Sequence, residues 1–171
     1  MNKIYINRII FFVITISIVI IDQVTKNIAI TINYQDQISI IPNIIQFNLV
    51  KNTGAAFSIL NEFPIFLAIM SLIVAIAIIV FFAKNPNIST STCLTISFLL
   101  GGTIGNGIDR LSLGYVIDFI QLIPINFPIF NIADISINIA FFILITNNLS
   151  SSIHLQRLKD VFIKSSRNFF N

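Results

Sequence analysis

Asp118 and Asp134 are the residues of this chain best suited to chemistry: two carboxylates separated by an apolar stretch with no other charge between them. A carboxylate held at lipid depth costs about 2.5–3.5 kcal/mol at a helix centre, and less near an interface. Two close carboxylates cannot easily both ionise. One keeps its proton, and the pair can then serve as acid and base toward a carbonyl and a water. Each also has a plainer role. Asn131 is a good N-cap residue, and Asp134 three positions later nearly completes a capping box in the first turn of a helix. Asp118 alone fits a solvated loop.

Little else in the chain offers catalysis. Cys93 and His154 are each the single residue of their type, so no intrachain disulfide and no protein-only zinc or iron site is expected, and no cofactor is implied. Cys93 opens an apolar run, as a buried, inert thiol would. There is no His-Glu-x-x-His motif and no Gly-x-Ser-x-Gly elbow, so carboxylates must carry any hydrolysis. Three further groups have both structural and chemical readings. Asp22 and Lys26 are four apart on a helix and form an ion pair. Asn52-Thr53-Gly54 reads as a turn. Asp109-Arg110 follows a glycine-rich run as an interfacial charge pair, or as a guanidinium that orients a carbonyl or carboxylate.

The elements that must position these residues are membrane helices. Of 171 residues, 56% are hydrophobic and only 10% charged, too few charges to cover a soluble domain. The net charge of +3 is too dispersed for nucleic-acid binding. The fold class expected is a mainly α membrane protein, one domain over 1–171. Its four transmembrane helices fall at about 9–30, 63–83, 92–108 and 131–149, with a small extracytoplasmic β element at about 31–62 and a basic cytoplasmic tail at 150–171. Ile45 to Val50 alternates as a half-buried strand, and Ala55 to Ile59 is its expected return. Residues 111–130, broken by Pro124 and Pro128, are expected to hug the membrane surface. Gly101 and Gly105 have the small-xxx-small spacing that lets helices approach closely. Lys3, Arg8, Lys84 and the basic tail share one side, which places both termini in the cytoplasm and both aspartates at the outer face. A proton relay or transporter is the rival class, since intramembrane acids often mark ion paths, and a non-catalytic membrane scaffold is a third; the two halves show no internal repeat of the kind many transporters carry.

Taken together, the motifs resemble the lipoprotein signal peptidases (signal peptidase II). Asp22-Gln23-Val24-Thr25-Lys26, Asn52-Thr53-Gly54-Ala55-Ala56-Phe57-Ser58, the run from Gly101 to Arg110, Val116-Ile117-Asp118-Phe119 and Phe130-Asn131-Ile132-Ala133-Asp134 match the family's segments in order. The resemblance implies a membrane aspartic endopeptidase of the bacterial cytoplasmic (inner) membrane. Such an enzyme removes the signal peptide from diacylglyceryl-modified prolipoproteins just before the lipidated cysteine. It implies that Asp118 and Asp134 are the catalytic pair, and that Asn52, Gly54, Asn106, Asp109, Arg110, Asn131 and Ala133 surround the site and position substrate. It further implies a β-sheet cradle on the membrane, a monomer, and inhibition by cyclic peptides of the globomycin type.

Overall fold

The computed structural model describes residues 2–32, 38–54, 63–125 and 127–149. Its helices are α1 (Lys3–Thr31), α2 (Pro64–Lys84), α3 (Thr90–Leu113) and α4 (Ile132–Leu149). Its strands are β1 (Ile38–Ile41), β2 (Ile45–Asn52) and β3 (Val116–Leu122). Helices α1, α2 and α4 are long and apolar enough to cross a membrane. The expected strand at Ala55 to Ile59, His154 and the basic tail lie outside the described residues.

Capping explains where the helices differ from the spans expected. The Asn2 side chain accepts from the Ile4 N–H at 3.3 Å, so α1 begins at Lys3 and carries Arg8 within it rather than starting at Ile9. Pro64 opens α2, where its missing N–H costs nothing. Ser89 caps α3 by accepting from the Thr92 N–H at 3.0 Å. That helix ends only at Gly114, whose φ of 78° suits glycine. It therefore runs past Ile108, and Asp109 and Arg110 belong to its last turns instead of following it.

Helix α3 is the least apolar because its neighbours enclose it. It packs against both α1 and α2, and its buried positions include Thr95, Ser97, Thr103, Asn106 and four glycines. Lipid supplies no hydrophobic force between helices, so small residues and polar contacts must hold them. A Cβ at Gly105 would stand 2.6 Å from Asp22 Oδ2 and 3.2 Å from the Ala133 Cβ, while one at Gly102 would collide with the Ala133 carbonyl. The Thr15 hydroxyl donates to the Ser97 carbonyl and the Ser136 hydroxyl to the Phe98 carbonyl. Farther along, Phe11, Ala75, Ile78, Cys93 and Leu100 form an apolar core, with Phe82 stacked on Phe11 at 3.9 Å. Cys93 is fully buried, and its thiol meets the Asn7 carbonyl.

The two connections at the α1 C-terminal end of the bundle join in one antiparallel sheet of order β1-β2-β3. The segment expected only to hug the surface thus supplies strand β3, and its partner is β2. Ala29, Ile117 and Phe119, backed by Phe47 and Leu49, fill the space beneath. Register shifts between Phe47 and Val50: three steps along β2 match two along β3. This bulge decides which side chains share a face. Beyond it Val50 opposes Asp118 and Asn52 opposes Val116, so Asn52 and Asp118 lie on one face as diagonal neighbours. Without the extra residue Asn52 would point to the other side.

Candidate active site

Asp118 projects from β3, and Asp134 from the first turn of α4. Both line a cavity of about 990 Å³. Asn131 joins them. Its side-chain carbonyl accepts from the Asp134 N–H at 2.9 Å, and Asp134 Oδ2 accepts from the Asn131 N–H at 3.1 Å. The capping box expected from sequence is therefore present. The Asn131 amide group also donates to Asp118 Oδ1 at 2.7 Å. One fully buried side chain caps the helix and holds the other aspartate.

Every carboxylate oxygen of the pair has a protein donor. Asp118 Oδ2 accepts from Asn52 Nδ2 at 2.9 Å, and Asp134 Oδ1 from Asn106 Nδ2 at 2.8 Å. Three asparagine amides thus face the aspartates with their NH2 groups, and a donor behind each carbonyl fixes that orientation. The Gly54 N–H occupies Asn52 Oδ1 at 3.0 Å, the Lys26 ammonium occupies Asn106 Oδ1 at 3.0 Å, and the Asp134 N–H occupies Asn131 Oδ1. None of these donors can accept, so flipping an amide would set donor against donor. A proton on this pair consequently finds no acceptor in the surrounding amides.

Burial first, and the charge of Asp134 second, push the Asp118 carboxyl up to about 7, against the pull of its bonds to Asn52 and Asn131. Near neutral pH it is poised between acid and base.

Asp22, Lys26 and Asp109 stand behind the pair. The expected Asp22–Lys26 ion pair is present at 2.8 Å, and Lys26 also meets Asp109 at 3.0 Å. Asp109 therefore pairs with Lys26 rather than with its neighbour Arg110. Arg110 instead lines the cavity, where its Nη2 donates to the Gly54 carbonyl at 3.1 Å and its Nε is buried with no hydrogen-bond partner among the described residues. The Ala133 N–H donates to Asp22 Oδ1 at 2.9 Å. All eleven residues singled out in the sequence thus converge. Gln23, which sequence reasoning passed over, also belongs here: its amide donates to Asp22, Asp109 and the Gly105 carbonyl. Its place within the first motif was the available signal. Among the described residues no three His, Cys, Asp or Glu side chains gather as a metal site would need.

The rest of the cavity is mostly apolar. Its lining includes Leu67, Met70 and Val74 of α2, Ile137 and Phe141 of α4, and Phe127 to Phe130. The family description for signal peptidase (SPase) II matches residues 14–150. The chain belongs to the signal peptidase II family. Among its relatives, the lipoprotein signal peptidase of Parasynechococcus marenigrum is 44% identical over 124 residues, covering 72% of this chain and 78% of that one. That of Staphylococcus haemolyticus is 38% identical over 136 residues, covering 78% and 86%. A solved bacterial membrane enzyme superposes with a TM-score of 0.76 at 37% identity, covering 83% of this chain and 88% of its own. Membership in signal peptidase II makes the chain a peptidase of lipoprotein processing, carried on apolar membrane helices.

Proposed function

We propose that this protein removes the signal peptide from diacylglyceryl-modified prolipoproteins, cutting just before the lipidated cysteine, with Asp118 and Asp134 as an aspartic catalytic pair. The observation that carries this reading is the pair itself: two carboxyls bridged by Asn131 at the polar end of a cavity whose walls are apolar helices. In this reading α3 is a fourth membrane span, about 36 Å long at ~1.5 Å per residue, tolerated in lipid because α1 and α2 enclose it. Both termini are cytoplasmic and the site opens at the outer face of the bacterial cytoplasmic membrane, as the distribution of Lys and Arg favours. The protein acts as a monomer, and cyclic peptides of the globomycin type compete for the cavity.

Asp118, neutral at the start, donates toward the scissile carbonyl oxygen. Asp134 lies at the α4 N-terminus, where it accepts from the Asn131 N–H and from the Asn106 amide of α3, which suits the ionised member. It takes a proton from a water as that water's oxygen bonds to the carbonyl carbon. The oxygen takes the Asp118 proton, giving a neutral gem-diol. Collapse returns a hydroxyl proton to Asp118, breaks the C–N bond, and passes the Asp134 proton to the departing amine. A new carboxyl and a new amine leave, and both aspartates regain their starting states. Arg110, whose Nε has no partner among the described residues, can turn that donor to the substrate backbone.

The test is cleavage of a synthetic diacylglyceryl prolipoprotein by purified enzyme, with the same precursor lacking lipid as control. Wild type should cut only the lipidated form, and Asp118→Asn and Asp134→Asn should each lose at least about 1,000-fold in rate while staying folded. Cleavage at the normal rate by both variants would overturn the dyad. No processing of the lipidated precursor by wild type would overturn the activity.

A further inference from the structure

The cluster behind the aspartates has a connectivity that an ion pair alone would not need. Ala133 directly precedes Asp134, and Ile117 directly precedes Asp118. The Ala133 N–H donates to Asp22 at 2.9 Å, and the Ile117 N–H donates to Asp109 Oδ2 at 3.0 Å. Those two carboxylates are tied to one ammonium, Lys26 Nζ, at 2.8 and 3.0 Å. The third ammonium bond goes to Asn106 Oδ1 at 3.0 Å, and Asn106 in turn donates to Asp134. A bracket of charge-assisted bonds therefore runs from the backbone beside one aspartate, through Lys26, to the backbone beside the other.

The side chains of Asp22, Lys26 and Asp109 are almost wholly removed from solvent. Buried ion clusters are poor stabilisers, since apolar side chains of similar volume often do as well or better. This one also ties α1 to α3, as polar contacts between membrane helices do, but that tie alone would not require the bonds to the backbone beside each aspartate. Bonds of this kind are short and directional, which is what holding two strand and helix ends at a set spacing requires. We infer that Lys26 is a positioning residue that sets the separation of Asp118 and Asp134, through Asp22 and Asp109, and aims the Asn106 amide at Asp134. The inference rests on the reading of those two aspartates as the catalytic pair.

Simple loss of the ammonium would leave two buried carboxylates unpaired and unfold the site. Lys26→Met combined with Asp22→Asn avoids this. Wild type carries two carboxylates and one ammonium, the double variant one carboxylate, and both have the same net charge. The amide introduced by Asp22→Asn also keeps an oxygen for the Ala133 N–H. The double variant should insert and melt near wild type, and KM for the lipidated precursor should stay within about threefold. Its kcat should fall about 100-fold, the loss that a misplacement of about 1 Å produces. The two limbs of its kcat–pH profile should also draw together, because carboxyls held less closely interact less. The charged groups facing Lys26 are Asp22 of its own helix, Asp109 of α3, Asp118 of β3 and Asp134 of α4. Arg110 and Lys51 lie on the cavity side, and α2 contributes no charge near the site.

Lys26→Arg is the second variant. It keeps the charge but changes the length of the bracket, so it too should lower kcat and move the limbs. Wild-type kcat and an unchanged profile in either folded variant would overturn the role of Lys26. Wild type and Asp118→Asn run beside them separate the two failures. If wild type does not cleave, the reading of the site fails. If wild type cleaves and Asp118→Asn does not, a variant that matches wild type removes the positioning role alone.

Discussion

Asn131 shows how a structural role and a chemical role can sit in one side chain: its carbonyl caps α4 and its amide holds Asp118. Serine retains the cap and lacks the amide. Asn131→Ser should therefore leave α4 intact by circular dichroism and lower stability by roughly 1–3 kcal/mol through the unmade buried bonds. It should reduce cleavage by at least about 100-fold, far more than the stability loss explains. Asp118 makes a separate prediction about pH. Its folded-state value of about 7 lies above the ordinary value of 3.8, so the folded protein holds a proton there that the unfolded chain has released. Stability contributed by that proton is full below the lower value and is lost as pH rises through about 7. Asparagine does not titrate. The melting temperature of Asp118→Asn, measured in detergent, should thus gain on wild type between pH 5 and pH 8.5, by roughly 4–10 °C. A constant difference across that range would mean that Asp118 is ionised throughout. At this scale the two aspartates and their asparagines were legible in the sequence. The direction of each amide was not, because it depends on Gly54, Lys26 and Asp134 donors brought in by the fold.

The elements explain why these residues meet. Helix α3 carries Asn106, Asp109 and Arg110 past both α1 and α4, and Gly105 lets it come close enough. Gly105→Ala should displace the Asp22 carboxylate, 2.6 Å from the added Cβ, and press on Ala133. Overpacking of this kind costs typically 1–3 kcal/mol, so roughly that loss in stability is expected, with most cleavage activity gone. Gly107→Ala is the control: its added Cβ would lie 3.3 Å from the Ser71 Cβ, a contact a small shift relieves, and it should keep near-wild-type stability. Equal behaviour of the two variants in a thermal melt would remove this account of the glycine run. The three apolar helices α1, α2 and α4, the capping box and the small-residue spacing follow from local pattern, so they could be read directly. Strand β3 could not. Val116 to Leu122 alternates weakly and is followed closely by Pro124 and Pro128, and its pairing with β2 is a contact between residues some 70 apart in sequence. The bulge that turns Asn52 toward Asp118 lies at Asn48-Leu49, where no glycine announces it. The extended α3 was hidden for a different reason. Asp109 and Arg110 look like an exposed helix end until Lys26 and the Gly54 carbonyl supply their partners.

For the molecule as a whole, the proposed function divides the work on a lipid-bearing substrate between the sheet and the helix bundle. In that reading, polar contacts to peptide come from the end where β2, β3 and α4 meet. The apolar part of the cavity, its throat, is lined by Leu67, Met70 and Val74 of α2 and by Ile137 and Phe141 of α4. If the acyl chains lie there, filling the throat should weaken capture of substrate more than the chemical step. Val74→Phe narrows the α2 wall without touching Asp118, Asp134 or their asparagines. It should raise KM for the diacylglyceryl precursor about tenfold and leave kcat within about threefold, the pattern of lost ground-state binding. Two methylenes removed from each acyl chain should raise KM less in Val74→Phe than in wild type, since methylenes that the narrowed space no longer buries have none of their roughly 0.8 kcal/mol each left to lose. A Val74→Phe enzyme with unchanged KM for every chain length would place the lipid outside the α2–α4 throat. A fall in kcat with unchanged KM would mean instead that α2 helps position the aspartates, although it supplies no side chain to their hydrogen bonds.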